Sequence, residues 1–218
     1  MKLVIGNKNY SSWSLRPWIL MHHAQLSFDE INVPLFTDEG AALIDEWCPA
    51  KRVPVLHDGP LVLWDSLAIC EYIADKVTDR SLWPARTDDR ARARAMSAEM
   101  HSSFAALREA MPMNCRRTVS GYTPTLNVQI DINRIVQLFE DALQQSNGPW
   151  LFGSYTVADA MYAPVASRFK TYQIKLPALS QRYVERTLND APMQDWYVAA
   201  LAEDAVIERA EIFDSPTK

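Results

Sequence analysis

Short apolar runs alternate with amphipathic helical segments over residues 1–78. Leu3-Val4-Ile5 is an apolar run closed by Gly6-Asn7, as expected for a central strand. The turn signal His57-Asp58-Gly59-Pro60 lies between two further apolar runs and predicts a hairpin. A parallel crossover unit followed by an antiparallel hairpin gives one mixed four-stranded sheet with helices packed on it, an α/β fold. Strands and helices are predicted in the order β-α-β-α-β-β-α, at residues 3–5, 15–24, 28–35, 40–47, 53–56, 61–63 and 65–76.

Beyond residue 88 almost every segment has helical spacing, which predicts a second, all-helical domain. A polar stretch that contains Pro84 separates the two patterns and marks the boundary between them. We therefore predict a first domain at residues 1–78, a linker at 79–87 and a helical domain at 88–218. The helices of the second domain are predicted at residues 88–110, 126–145, 157–169, 179–188 and 193–202.

Composition restricts the classes of function. The chain has 218 residues, a net charge of −5 and 48% hydrophobic residues, which suits two modest globular domains. No long basic stretch occurs, so nucleic acid is not expected as a partner. The first residues contain no apolar segment suited to a signal peptide or a membrane span, which favours a cytoplasmic location without a membrane partner. Cys48, Cys70 and Cys115 are far apart, so we expect free thiols and no metal site.

The loop between the first strand and the first helix carries three serines, within Tyr10-Ser11-Ser12-Trp13-Ser14-Leu15-Arg16-Pro17. Pro17 has no N–H and is comfortable only in the first turn of a helix, so Ser14 is expected to be the N-cap. Ser11 and Ser12 then precede the helix, where free N–H groups and the positive end of the helix dipole favour an anion. A serine hydroxyl at this place could stabilise a thiolate, although serines before a helix more often only cap it.

A second polar cluster consists of Lys51-Arg52-Val53-Pro54 and Trp64-Asp65-Ser66. Pro54 opens a strand, which is a natural place for a cis bond that would turn the backbone of Val53 toward an extended peptide ligand. Asp65 offers a carboxylate for an ammonium group, and Ser66 offers a hydroxyl for a carboxylate, as an amino-acid head group requires. The alternative for Asp65-Ser66 alone is ordinary capping of the next helix.

Together these segments resemble the serine-type glutathione transferases, and the likeness covers essentially the whole chain. Residues 11–16 are similar to the Ser-Ser-Cys-Ser-Trp-Arg motif of zeta-class members. Arg52-Val53-Pro54 resembles the cis-proline turn of the family, and Asp65-Ser66 resembles its Glu/Gln-Ser segment. Trp13 stands where the zeta-class motif has cysteine, which argues against maleylacetoacetate isomerase activity, and Asp65 is one methylene shorter than the usual Glu.

The resemblance implies a thioredoxin-like N-terminal domain, an all-α C-terminal domain and glutathione as co-substrate without a metal. Ser11 would hydrogen-bond the glutathione thiolate, with Ser12 and Ser14 as competing assignments. The other glutathione contacts would come from Lys51 and Arg52 for the glycyl carboxylate, Val53 and Pro54 for the cysteinyl backbone, and Asp65 and Ser66 for the γ-glutamyl end. The second-substrate pocket is expected at Tyr10, Trp13, His101, Phe104, Arg108, Met111 and Met113, although Met and Phe at helical spacing are more often core.

The helical half adds a structural motif. Thr156-Val157-Ala158-Asp159 resembles the Ser/Thr-Ile-Ala-Asp capping box of the family. In such a box the threonine accepts from the amide of Asp159 while the carboxylate accepts from the amide of Thr156. We assign this motif to folding rather than to catalysis.

The implied function is a glutathione transferase that activates the thiol for attack on small electrophiles, with a role in detoxification and a homodimeric assembly. Alternatives are a glutathione-dependent isomerase and a catalytically weak binding or regulatory protein of the same fold. A thiol-disulfide reductase is disfavoured because the loop before the first helix has no cysteine. The combination of Ser11, Pro54 and Asp65-Ser66 favours the enzyme over the binding protein.

Overall fold

The computed structural model describes residues 1–146 and 148–211. The elements of its first half are β1 (Lys2–Gly6), α1 (Ser12–His23), β2 (Asp29–Val33), α2 (Asp38–Trp47), β3 (Val55–Asp58), β4 (Leu61–Trp64) and α3 (Ser66–Lys76). The sheet has the strand order β2-β1-β3-β4. Strand β1 pairs parallel with β2 and antiparallel with β3, and β3 pairs antiparallel with β4. The predicted mixed four-stranded sheet is therefore confirmed.

The two faces of β1 divide the core, because successive side chains of a strand point to opposite sides. Leu3 and Ile5 belong to the large core that also contains α1 and the helical half. Val4 lies on the other face in a smaller cluster with Val33, under α2. Helix α1 therefore lies between the sheet and the helical half, which places its N-terminal loop where the two halves meet.

The second half is helical, as predicted. The helices are α4 (Thr87–Ser102), α5 (Ala105–Ala110), α6 (Leu126–Gln145), α7 (Val157–Thr171), α8 (Ala178–Asn189) and α9 (Ala191–Leu201), followed by a short 3₁₀ turn at Glu208–Ala210. Helix α7 is the centre of this half, because almost all of its side chains are buried and it contacts α1, α4 and α8. The predicted linker at 79–87 lies between α3 and α4 except for Thr87, the first residue of α4. The division into two domains stays a prediction.

The single helix predicted at 88–110 is wrong, since the chain breaks between α4 and α5. Phe104 has a φ of 63° in the left-handed region, and its side chain is buried. The first turn of α5 is stabilised from another element, because the carboxylate of Asp131 accepts from the amide of Leu107 at 2.9 Å. This hydrogen bond from a residue distant in sequence replaces a backbone hydrogen bond that the break in the helix removes. No local sequence pattern predicts it.

The expected start of α1 at Ser14 is also wrong. The helix begins at Ser12 with Ser11 as its N-cap residue, and Pro17 lies inside the helix. Because Pro17 has no N–H, the helix lacks the backbone hydrogen bond to the carbonyl of Trp13, four residues earlier. The helix is nevertheless kept by packing, because its residues from Ser14 to Met21 are all buried.

Three general features of the described residues complete the fold. Cys48, Cys70 and Cys115 are free and buried. No helix within residues 1–146 and 148–211 has the length and apolar character that crossing a bilayer requires. No group of His, Cys, Asp and Glu side chains in this part of the chain is arranged to hold a metal ion.

Candidate functional site

A cavity of about 460 Å³ lies between the sheet half and α4. It brings together residues that are far apart in sequence, and most of the predicted glutathione contacts are among them. Its walls are formed by Trp13, Ala50, Arg52, Val53, Pro54, Trp64, Asp65, Ser66 and His101.

A larger cavity, of about 820 Å³, lies between α4, α6 and residues 148–154. None of the predicted site residues lines it. Charged residues at its rim are already paired, as Arg92 with Asp89 and Arg134 with Glu99 show. We therefore place the candidate site in the smaller cavity, where polar groups remain without partners.

The backbone ahead of β3 forms one wall of the site. The Val53–Pro54 peptide bond is cis, as the sequence predicted. Pairing of β3 with β4 begins at Val55, so Val53 lies outside the ladder while it lines the cavity. Its main-chain groups therefore lie beside the cavity and outside the strand pairing.

Asp65 combines capping with a place in the cavity wall. It is the N-cap of α3, and its Oδ1 accepts from the amides of Leu67 at 2.9 Å and Ala68 at 3.2 Å. Its Oδ2 lies 3.2 Å from Nε2 of His101. The φ of Asp65 is 75°, a strained conformation for a residue with a side chain, and such strain is concentrated at ligand clamps and active sites.

Ser66 carries the strongest local signal for a ligand. Its side chain is only 1% exposed, and its hydroxyl has no hydrogen-bond partner among the described residues. An unpaired buried hydroxyl costs about 1 to 3 kcal/mol and is uncommon in folded proteins. Because Ser66 lines the cavity at the N-terminus of α3, a bound carboxylate would supply the missing acceptor.

The serines before and inside α1 form a hydrogen-bonded chain. Oγ of Ser14 accepts from the amide of Gly6 at 3.1 Å and lies 2.7 Å from Oγ of Ser11. If Ser11 donated to Ser14, the buried hydroxyl proton of Ser14 would have no acceptor among the described residues. Ser11 is 7% exposed whereas Ser14 is fully buried, so donation from Ser14 to Ser11 is favoured and leaves the unpaired proton on the more accessible hydroxyl, that of Ser11. Ser14 therefore orients Ser11 and is not the helix cap.

Ser12 has a different role from Ser11. Its Oγ accepts from Nη2 of Arg168 in α7 at 3.2 Å, and Nε of the same arginine donates to the carbonyl of Met111 at 2.8 Å. Both side chains are largely buried. Ser12 thus connects the start of α1 to α7, across the two halves of the chain.

Two arginines contact the ring of Trp13. The guanidinium carbons of Arg16 and Arg108 lie 4.2 Å and 4.7 Å from the ring centroid. Nη1 of Arg16 and Nε of Arg108 are buried N–H groups without a partner in the described part of the chain. His101 approaches the same ring edge-on with 5.5 Å between centroids. Trp13 is therefore the centre of a cationic cluster beside the cavity.

The charges in this cluster repel one another. Burial, followed by repulsion from Arg108 and Arg168, lowers the pKa of Arg16 to about 9. Burial and then Arg108 lower the pKa of Arg168 to about 10, and burial lowers the pKa of Arg108. None of these three side chains forms an ion pair with a carboxylate in the residues that the structure describes. A region with this excess of positive charge favours an anionic ligand group.

Several predicted site residues lie outside the cavity. Lys51 is exposed, and its Nζ pairs with Asp45 at 2.5 Å. The hydroxyl of Tyr10 donates to Glu211 at 2.5 Å, in the C-terminal part of the chain. Phe104, Met111 and Met113 are buried in the hydrophobic core. The three serines of the α1 region and Arg108 are not among the residues that line the cavity either.

The structure also adds residues that sequence reasoning missed. Trp64 lines the cavity although its side chain is 51% exposed. Its position directly before Asp65 in the sequence could have identified it as a residue of the site. The clustering of Arg16 and Arg168 had no such signal, because the two are brought together only by packing of α1 on α7.

Comparison with known proteins identifies the class that this fold and site define. Residues 10–76 match the family model described as glutathione S-transferase, N-terminal domain. A probable maleylacetoacetate isomerase of Caenorhabditis elegans is 27% identical over 187 residues, which cover 84% of this chain and 86% of the relative.

Solved structures agree with this match. A glutathione transferase homologue from Burkholderia, crystallised with bound glutathione, has a TM-score of 0.70 at 23% identity and covers 93% of this chain and 98% of its own. Maleyl pyruvate isomerase, described as a bacterial zeta-class glutathione S-transferase, has a TM-score of 0.71 at 22% identity over 94% of this chain and 100% of its own. Residues 10–76 therefore match the N-terminal domain family of the glutathione S-transferases, and the fold is that of the glutathione transferases. The predicted family and fold are thus confirmed, while the serine type stays a prediction.

Proposed function

We propose that the protein is an enzyme that binds glutathione in the cavity beside Ser66 and activates its thiol for attack on a small electrophile. The observation that carries this proposal is the buried, unpartnered hydroxyl of Ser66 at the start of α3. A homologue from Burkholderia was crystallised with glutathione bound, which supports the same ligand for this chain.

The chemical features of glutathione match the wall of the cavity from end to end. The carboxylate of the γ-glutamyl residue would accept a hydrogen bond from Ser66, and the ammonium group of that γ-glutamyl residue would approach the carboxylate of Asp65. Oδ1 of Asp65 already accepts from two amides, and Oδ2 lies beside His101. Oδ2 would therefore contact both the ammonium group of the ligand and the histidine. The backbone of Val53 would pair with the cysteinyl residue, and Arg52 would contact the glycyl carboxylate.

The thiol would then lie near the N-terminus of α1. A thiol similar to free cysteine, with a pKa of about 8.5, is only slightly ionised at neutral pH. A donated hydrogen bond from Ser11, the helix dipole and the nearby arginines all favour the thiolate. In the transfer reaction the sulfur forms a bond to the electrophilic carbon, and the leaving group departs with the bonding electron pair.

Glutathione binding is the first result to test. We expect calorimetric titration to show heat of binding below millimolar glutathione, and Ser66→Ala to weaken binding by about 1 to 3 kcal/mol because a charged carboxylate loses its donor. Ser102→Ala is a matched control, because that exposed serine contacts only the carbonyl of Ala98 and the hydroxyl of the neighbouring Ser103. Absence of heat and of a thermal shift with the parent protein at millimolar glutathione would remove the proposed function.

The cationic cluster indicates the chemistry of the second substrate. Arg108 is half-buried, contacts Trp13 at the cavity, and has an unpartnered Nε. An electrophile with a carboxylate would pair with this guanidinium and reduce the repulsion among the three arginines. We therefore propose that the electrophile carries an anionic group.

A substrate pair tests this specificity. We expect an electrophile with a free carboxylate to have a kcat/KM about tenfold or more above that of its methyl ester, and Arg108→Gln to remove most of that preference. Arg94→Gln is the control, since that arginine contacts Glu71 and Trp83 outside the cavity. Equal kcat/KM values for acid and ester with the parent enzyme would refute the anionic subsite and leave glutathione binding untouched.

A glutathione-dependent isomerase is the second candidate. The relatives named as maleylacetoacetate isomerases favour it, as does an anion-binding cluster beside the thiol. In such a reaction the thiolate adds to a double bond, the new single bond rotates, and the sulfur is expelled again. Trp13 in place of the zeta-class cysteine keeps this candidate second. A cytoplasmic location, a role in detoxification and a homodimer, which sedimentation would test, stay predictions.

A further inference from the structure

The last described residues return to the loop that carries Ser11. We use the name serine loop for residues 7–11 and C-terminal strap for residues 203–211, which follow α9. The strap lies across the serine loop, and the contacts between them join residues almost 200 positions apart in sequence. None of the strap residues lines the candidate cavity.

Glu203 holds the middle of the serine loop by its backbone. Its Oε1 accepts from the amide of Lys8 at 2.6 Å, and its Oε2 accepts from the amide of Asn9 at 3.0 Å. Lys8 and Asn9 are 9% and 0% exposed, so water cannot readily replace the carboxylate. A carboxylate that accepts hydrogen bonds from two backbone amides is a strong and directional anchor.

The anchored residues form the turn that positions Ser11. The carbonyl of Asn7 accepts from the amides of Tyr10 at 3.1 Å and Ser11 at 2.8 Å. The other two amides of this turn, those of Lys8 and Asn9, donate to the carboxylate of Glu203. The geometry of Ser11 relative to Ser14 therefore depends on the carboxylate of Glu203.

Other strap contacts fix Glu203 itself. Arg116 donates to the carbonyls of Glu203 and Ala205, and to the hydroxyl of Tyr10 at 2.8 Å. The same tyrosine donates to Glu211 at 2.5 Å, at the far end of the strap. Each end of the strap thus has its own attachment to the serine loop or to the segment beside it.

The structure assigns Glu203 as a positioning residue for thiol activation: through the amides of Lys8 and Asn9 it sets the orientation in which Ser11 meets the glutathione sulfur. This assignment rests on the proposed function. Glu203 does not line the candidate cavity, so its effect passes through the backbone of the serine loop.

The test compares Glu203→Gln with Glu208→Gln. The first substitution keeps the shape but places an NH₂ group against one of the two amide donors, whereas the second removes the same charge from an exposed position in the strap. For Glu203→Gln we expect kcat to fall about tenfold and the pKa of bound glutathione to rise by about half a unit to one unit. The KM for glutathione should change less, because Ser66 and Asp65 lie elsewhere.

Hydrogen exchange on the free chain supplies a readout that does not need substrate. The amides of Lys8 and Asn9 should lose protection about tenfold or more in Glu203→Gln, while protection in α7 stays within twofold of the parent. Glu203→Asp, which keeps two acceptor oxygens on a shorter side chain, should recover part of the kcat.

Each other outcome has a definite meaning. If the thiol pKa and kcat of Glu203→Gln equal those of Glu208→Gln, the assignment is wrong. A loss of protection throughout the chain, in proportion to the loss of activity, would make Glu203 a general stability residue and also overturn the assignment. Failure of the parent protein to bind glutathione would instead contradict the proposed function itself.

Discussion

Ser11→Ala is expected to lower turnover about ten- to a hundredfold and to raise the pKa of bound glutathione. One hydrogen bond to a charged sulfur contributes about 1.5 to 3 kcal/mol, and each pKa unit corresponds to about 1.4 kcal/mol. Ser11 and Ser14 share one hydroxyl contact at 2.7 Å, and donation from the fully buried Ser14 leaves the proton of the more accessible Ser11 for a ligand. Ultraviolet absorbance of the thiolate against pH, with glutathione bound, measures the effect directly.

Ser14→Ala is expected to raise the same thiol pKa, by a smaller amount than Ser11→Ala. The capping role expected from sequence would have left the thiol pKa unchanged, but the N-cap of α1 is Ser11 and not Ser14. Without Oγ of Ser14, the buried amide of Gly6 loses its acceptor and the hydroxyl of Ser11 can rotate. The lost acceptor alone should reduce the free energy of unfolding by about 1 to 3 kcal/mol.

Ser12→Ala is the comparison for both variants. Its hydroxyl accepts from Arg168, so its removal should affect the contact between α1 and α7 more than the thiol. If Ser12→Ala raises the thiol pKa and Ser11→Ala does not, Ser12 is the thiolate ligand and our assignment fails. If none of the three variants changes it, the helix terminus and backbone amides activate the thiol without a serine.

Asp159→Ala should produce the largest loss of stability, about 3 to 5 kcal/mol in the free energy of unfolding. The carboxylate is fully buried. It accepts from the amide and hydroxyl of Thr156 at 2.8 Å and 3.0 Å, from the amide of Leu151 at 3.1 Å and from the hydroxyl of Tyr183 at 3.2 Å. Both arms of the predicted capping box are present. Loss of the Asp159 carboxylate would leave all of these donors buried without an acceptor.

The same residue should give the protein a pH dependence. Burial, partly offset by the four hydrogen bonds, raises the pKa of Asp159 from 3.8 to about 6. The folded state therefore holds this proton more tightly than the unfolded state. The free energy of unfolding should fall by about 1 to 3 kcal/mol as the pH rises from about 4 to 6. Asp159→Asn, which cannot titrate, should lack this part of the dependence.

Chemical denaturation at several pH values measures both effects. Asp88→Ala is the matched control, because Asp88 is exposed in the first turn of α4 and should cost only a few tenths of a kcal/mol up to about 1. A loss for Asp159→Ala no greater than that of Asp88→Ala would contradict the role of Asp159. Parallel pH profiles for the parent and Asp159→Asn would contradict its raised pKa.

Much of the fold was readable from local sequence because it follows from periodicity and turn chemistry. The helix at Leu126–Gln145 agrees with its predicted bounds, since its apolar positions keep one face over the whole length. The mixed sheet followed from the order of strands and from the hairpin signal at Gly59. The break at Phe104 was not readable, because the cap of α5 comes from Asp131 on another helix.

The candidate site divides in the same way. The cis bond at Pro54 and the pair Asp65-Ser66 were identified from residue type and spacing, because each role is set within a few residues of the chain. The roles of the three serines were decided only in three dimensions. Ser14 is turned inward by the amide of Gly6, and Ser12 is held by Arg168 from α7.

The sequence by itself determined the class of fold, the two structural halves and the segments that form the cavity, because periodicity, proline and helix caps are local properties of the chain. The tertiary structure alone decided which partners the three serines have, which arginines surround Trp13, and that Glu203 holds the serine loop. These depend on packing between elements distant in sequence, where no local preference specifies a partner and only the burial of polar groups shows which partners are required.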